Sequence, residues 1–142
     1  MKFQTTHHGI IEYDEADVII FKKGLPGFEG LSKFVLFPVE GNEVFNILHS
    51  IEDPDIGLVT ISPFSIDESY EVELKDGVIK RLNIEKPEDV LIQNTVTLHS
   101  KVENITVNLK APIVINISNK SGEQIILDSD KYLIKHPLVQ EW

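Results

Sequence analysis

Apolar and polar positions alternate through the last third of the chain. Ile105, Val107 and Leu109 alternate with Thr106, Asn108 and Lys110, and beyond Ala111-Pro112 the residues Ile113, Ile115 and Ile117 alternate with Val114, Asn116 and Ser118. Period-two alternation of β-branched residues predicts strands with one face turned to a core. Pro112 has no amide hydrogen to donate and breaks the run in two. The same signals recur upstream. Asp17 to Phe21 reads as an apolar strand ended by Lys22-Lys23-Gly24, and Leu25-Pro26-Gly27 reads as a turn in which Pro26 presets φ and Gly27 supplies a positive φ. Lys33 to Val39 and Val44 to His49 predict a hairpin around Glu40-Gly41-Asn42-Glu43. The polar loop Glu52-Asp53-Pro54-Asp55 precedes a buried strand from Gly57 to Ser62, bordered by Pro63. Tyr70, Val72 and Leu74 alternate with Glu71, Glu73 and Lys75, which predicts a strand with a charged face to water. Asp76-Gly77 then predicts a tight turn into a strand from Val78 to Leu82. Glu85 to Asp89 predicts a short helical turn, with proline near its start. Val90 to Leu98 and Ile105 to Lys110 predict a hairpin around Lys101 to Asn104, and Ile113 to Ser118 is expected to pair with Gln124 to Leu127. Lys131 to Trp142 has no period and reads as a tail that docks or frays.

About ten short strands and at most one short helix place the chain in the all-β class, as a single domain over residues 1–142. Strands this regular hide their edges by closure or in a second sheet. The expectation is a compact, barrel-like antiparallel fold.

Charge changes the picture. Thirteen Lys and Arg against twenty-three Asp and Glu give −10, which opposes direct binding of nucleic acid, where cation–phosphate contacts dominate. It favours a basic partner and speeds encounter with it; it also simply keeps a protein in solution. The chain has no cysteine, so disulfides and thiolate zinc sites are excluded. Met1 to His8 carries no apolar run suited to a signal peptide, and no stretch approaches the ~20 apolar residues of a membrane span. A cytoplasmic location with no membrane partner is therefore expected.

Candidate chemistry is sparse. His7 and His8 are adjacent, and on a strand they would point to opposite faces, so no metal is expected; the spacing to His49 and His99 promises no further ligand. Glu12 with Asp14, Glu52 with Asp53, and Glu71 with Glu73 fall in turns or on a water-facing edge. There their pKa values are expected to stay ordinary, unlike the raised acid of a hydrolase pair. Ser50, Ser62 and Ser65 lack a nucleophile elbow, and Gly24-Leu25-Pro26-Gly27 lacks the Lys-Ser/Thr of a phosphate loop. No catalytic residue, cofactor or metal is expected, and the chain reads as a non-enzymatic binding module. Asp67, Glu68, Glu71, Glu73 and Asp76 fall within ten residues, opposed only by Lys75. Glu71 and Glu73 share a face, either as a surface for a basic partner or as a solvated edge kept from aggregating by charge. Asn108, polar on a strand, is a candidate for bonding backbone or partner.

Several stretches also match a known family. Phe21 to Glu29 resembles the F-x-x-G-L-P-G-F-E element of the flagellar assembly factor FliW family, and Leu48-His49-Ser50-Ile51-Glu52-Asp53-Pro54 is similar to its L-Q-S-x-E-D-P loop, with His49 where glutamine is common. Leu58 stands where that family often has an aromatic. Ser62-Pro63-Phe64 with Tyr70, Thr106 to Asn116, and Gln124 to Leu127 with Tyr132 match further elements in order. The resemblance implies a β-rich barrel that binds cytoplasmic flagellin and antagonises the RNA-binding translational regulator CsrA, allosterically rather than by mimicking RNA. It implies a structural role for Gly24, Pro26, Gly27, Phe28 and Pro112. The alternative from the residues alone is a small-ligand or carbohydrate-binding β-barrel, which needs an apolar pocket with a few convergent polar groups.

Overall fold

Seven of the strands close on themselves. The computed structural model of the chain describes residues 1–41 and 44–138. In chain order its strands are β1 (Lys2–Thr5), β2 (Gly9–Glu12), β3 (Ile19–Ile20), β4 (Lys33–Pro38), β5 (Phe45–Ser50), β6 (Gly57–Ile61), β7 (Val90–Thr97), β8 (Thr106–Val107), β9 (Ile113–Asn116), β10 (Ser121–Gln124) and β11 (His136–Pro137), with a helix α1 (Asp76–Arg81) between β6 and β7. The barrel runs β7-β6-β5-β4-β3-β10-β9 and closes where β9 returns to β7, from Val90↔Asn116 to Gln93↔Ile113. Every pairing is antiparallel except that of β10 with β3, which are parallel at Ser121↔Ile20. β8 extends the far end of β7 at Val96↔Val107, and β11 adds to β8. β1 and β2 form a separate hairpin.

Two apolar clusters hold these layers together. Ile19, Phe21, Leu25, Phe34, Leu48, Ile113 and Ile115 make one. Ile61, Tyr70, Val78, Leu82, Ile92, Val96, Val107, Leu109, Val114, Leu127 and Tyr132 make the other. β9 divides its side chains between them, Ile113 and Ile115 to the first and Val114 to the second. Both of its faces are therefore buried, where the alternation predicted one. Each fully buried Phe or Leu contributes about 1.5–3 kcal/mol. Phe21 lies so close over β10 that a Cβ on Gly122 would sit 2.5 Å from its ring. The predicted turn at Leu25-Pro26-Gly27 is present, with Gly27 at φ +89°. Gly24 has φ +67°, and a Cβ there would meet the Glu29 backbone at 2.6 Å, so only glycine fits.

The hairpin of β4 and β5, the strand β6 and the 3-10 turn at Pro87–Asp89 lie where expected. Asn42 and Glu43 of the first hairpin loop, and Trp142, lie outside the described residues. Val78 to Leu82 is not a strand. It forms α1 and its cap, with Val78 and Leu82 buried one turn apart and Asp76 before Lys80 and Arg81 in the order that suits the helix dipole. Burial alternates from Tyr70 to Lys75, as along an extended chain, but the stretch pairs with no strand. Only Ile19–Ile20 of the Asp17–Phe21 stretch is strand, because Glu15–Asp17 winds into a 3-10 turn. β8 pairs with only the end of β7, whose first half is taken by β9. β10 begins at Ser121, so Ser121 and Gly122 belong to the strand, and Lys120 at φ +57° turns the chain. His7 and His8 sit in the turn between β1 and β2, a hairpin that the alternation does not announce. As far as Leu138 the tail docks: Leu138 N–H donates to the Ile105 carbonyl at 3.0 Å, and residues 139–142 lie outside the described residues.

Candidate partner-binding groove

The extended stretch 70–75 is fixed by tyrosines rather than by a strand ladder. Val72 and Leu74 pack partly buried on the second cluster, which turns Glu71, Glu73 and Lys75 outward. Tyr70 is buried; its hydroxyl donates to the Leu109 carbonyl at 2.6 Å and accepts from Asn94 Nδ2 at 3.3 Å. Burial pushes the Tyr70 phenol above its ordinary value. Asn94 Nδ2 also donates to the Asn108 carbonyl at 2.8 Å, while its Oδ1 has no partner among the described residues. The Tyr132 ring lies 4.5 Å from Tyr70, and its hydroxyl accepts the Glu71 N–H at 2.8 Å.

Opposite this stretch runs the continuation of β10. Ile125 and Leu127 donate to the carbonyls of Pro112 and Lys110 at 3.0 and 2.8 Å. Between the two walls lies an open groove of about 460 Å³, floored by Val78, Leu127 and Tyr132 and lipped by Glu71 and Glu73. Its cations are engaged. Arg81 holds Glu123 through Nε at 2.8 Å and Nη2 at 2.7 Å, with Lys23 at 3.7 Å. Those Arg81 bonds hold the Glu123 carboxyl below its usual range against the opposing effect of burial. Lys75 pairs with Asp128 across the groove, and Lys131 Nζ lies 5.5 Å over the Tyr132 ring. Glu71 and Glu73 are exposed and join no ion pair among the described residues.

Glu71 and Glu73 thus meet Glu123 and Asp128, which sequence reasoning did not connect to them. Asp67 and Glu68 stand apart in the preceding turn. Asp67 accepts from Ser69 Oγ at 2.6 Å and Ser69 N at 2.9 Å, bonds that lower its pKa. Asn108 Oδ1 accepts from Lys110 N at 3.1 Å and Ala111 N at 3.0 Å, which shapes the chain before the buried Pro112. Gly24, Pro26 and Gly27 build the turn that seats Leu25 and Phe28 on the first cluster.

Other candidates serve the fold. His49 is buried with Nδ1 2.7 Å from the Ser50 carbonyl, which can only accept, so Nδ1 carries the proton. Its ring packs 5.5 Å from Phe3 and 5.9 Å from His8, beneath the β1–β2 hairpin. His8 is held below the usual histidine range, first by burial and then by His49 and His7. No three metal-ligating side chains cluster among the described residues. Glu52 departs from the ordinary titration expected of it, because Lys33 N and Ser32 N, each at 2.8 Å, lower its pKa. Ser50 Oγ in turn accepts from Glu52 N and Asp53 N, so this loop ties β5 to the start of β4. The carboxyls displaced by their surroundings, Glu52, Asp67, Glu123 and Asp128, all move toward the charged form, the opposite of what a general acid needs. No helix among the described residues is long and apolar enough to cross a membrane.

Comparison with known proteins accords with this architecture. A family model described as FliW protein matches residues 2–138. A Clostridium novyi (strain NT) protein named flagellar assembly factor FliW is 65% identical over 141 residues, covering 99% of both chains. Its namesake in Clostridium botulinum (strain Okra / Type B1) is 55% identical over 141 residues, again with 99% of both covered. A solved structure, described as the crystal structure of the flagellar assembly factor FliW, superposes with a TM-score of 0.92 at 39% identity, covering 99% of each chain.

Proposed function

The chain belongs to the FliW family, and from that premise we propose that it is a flagellar assembly factor that binds flagellin in the cytoplasm and antagonises the translational regulator CsrA. It catalyses no reaction. Free protein sequesters the regulator and flagellin is translated; accumulating flagellin captures the protein, and the regulator returns to its message.

The observation that carries this reading is the pair of exposed carboxylates, Glu71 and Glu73, which join no ion pair among the described residues, on the groove lip of a chain with net charge −10. A regulator that binds RNA presents cations. An acidic protein docked beside its RNA channel attracts those cations and repels incoming phosphates. Unit charges ~10 Å apart interact by roughly 1.5 kcal/mol at an effective dielectric near 20, so a few such terms weaken RNA binding by about tenfold or more. Asp67 and Glu68, in the turn before Tyr70, and Asn108 are further contact candidates outside the groove lining.

The test is capture of purified CsrA on the immobilised protein, with purified flagellin then added. Retention of the regulator, followed by its loss as flagellin rises, is the expected result. A protein that retains neither would refute the proposal.

A further inference from the structure

The wall from Glu123 to Asp128 is a sheet edge used on one side only. Ile125 and Leu127 spend their N–H groups on Pro112 and Lys110. Backbone direction alternates along a strand, so the amides and carbonyls of Ile126 and Asp128 face the other way, toward the groove. Among the described residues no backbone partner meets them, and the Ile126 side chain is 73% exposed. The facing wall is equally open. By the same alternation the Glu73 N–H lies on the side of the Glu71 N–H, toward Tyr132 and the groove, and it has no acceptor among the described residues. Among the described residues only side chains span the groove: Lys75 reaches Asp128, and Tyr132 on the floor receives Glu71 N.

Two unpaired edges on either side of an apolar floor form a receptor for a strand. We propose that this groove takes an extended segment of a partner protein as an added strand, with basic side chains two residues apart set against Glu71 and Glu73 and apolar ones on the floor. Charge fixes the chemistry of that guest. Glu71, Glu73, Glu123 and Asp128 outnumber Lys75, Arg81 and Lys131 around the groove, and Arg81 and Lys75 are paired with Glu123 and Asp128, so the balance on the lip is negative. Glu71 and Glu73 are two residues apart on one face, so the cations they meet recur with the same spacing. The inference rests on the reading above that this face recognises a basic protein, and it adds the mode of recognition.

The probe is a capped hexapeptide alternating arginine and valine, about the length of the 71–75 wall in extended form. It is titrated into the full chain and followed by amide NMR and hydrogen exchange. Binding is expected to slow exchange at Glu73, Ile126 and Asp128. The same peptide with alternate amides N-methylated keeps its charge but cannot pair, and is expected to bind at least about tenfold more weakly. Glu71→Gln with Glu73→Gln is expected to weaken the unmethylated peptide about three- to tenfold at low salt. No binding, equal binding of the methylated peptide, or slowed exchange confined to other residues would each overturn the proposal. Neither flagellin nor the regulator takes part in this experiment, so its outcome is separate from that of the capture assay.

Discussion

Replacing Tyr70 by phenylalanine isolates one buried hydroxyl. The ring contacts survive, with Tyr132 at 4.5 Å and Phe64 at 6.0 Å, so the packing loss is small. Two hydrogen bonds go. The first, at 2.6 Å, leaves the Leu109 carbonyl unpaired in the core. The second, at 3.3 Å, is at the long end, and Asn94 keeps its better bond to Asn108. An orphaned buried carbonyl costs about 1–3 kcal/mol, whereas an average bond contributes about 0.5–1.5. The expected loss is therefore about 2 kcal/mol. Urea unfolding followed by far-UV circular dichroism reads it directly: with a slope near 2 kcal/mol per molar, the midpoint drops by about 1 M at unchanged slope. The phenol adds a pH signature. Its folded pKa lies above the ordinary 10.0, so the folded state holds the proton longer than the unfolded chain. That contribution is complete below pH 10 and is lost as the pH climbs through the folded value. Tyr70→Phe should flatten that part of the alkaline limb. A midpoint within about 0.3 M of the parent would show that this hydroxyl does not pin the 70–75 stretch.

Gly24→Ala should destabilise by about 2 kcal/mol or more, because it meets both a left-handed φ and the Glu29 backbone; thermal melts of the pair check this. Glu123 has a folded pKa below the usual carboxylate value, so its contribution is present above pH ~4.5 and is lost as the pH falls through the folded value. Glu123→Gln should therefore lessen the drop in stability on acidification, measured by urea titrations between pH 6 and 3. Reversing Glu71 and Glu73 to lysine should weaken capture of the regulator and reduce its dependence on salt. Unchanged affinity at low ionic strength in a binding titration would remove those carboxylates from the interface.

Where one periodicity dominates, the fold can be read from the residues. β4, β5 and β6 alternate or run apolar between clear turns, and they pair as neighbours. α1 escaped because Val78, Ile79 and Leu82 satisfy a strand run and an i, i+4 helical face equally well, and a six-residue helix is too short for length to decide. Ser121 and Gly122 look like turn residues, yet both pair with β9, and a glycine stands at 122 because the Phe21 ring leaves no room for a Cβ. The acidic lip was visible at Glu71 and Glu73. Its other half was not: Glu123 meets Arg81 across 42 positions, and such a meeting depends on the register of distant strands rather than on any local pattern.

The parallel join of β10 to β3 bears on how the protein is made. Ile20 and Ser121 lie roughly a hundred residues apart, and contacts of such separation form late and slowly. A chain still emerging from the ribosome is therefore an unclosed sheet with two bare edges. The barrel seals, and both walls beside Arg81 and Glu123 come into being, only once nearly the whole message has been read. A truncated product would consequently lack the groove, however well its early hairpins had formed.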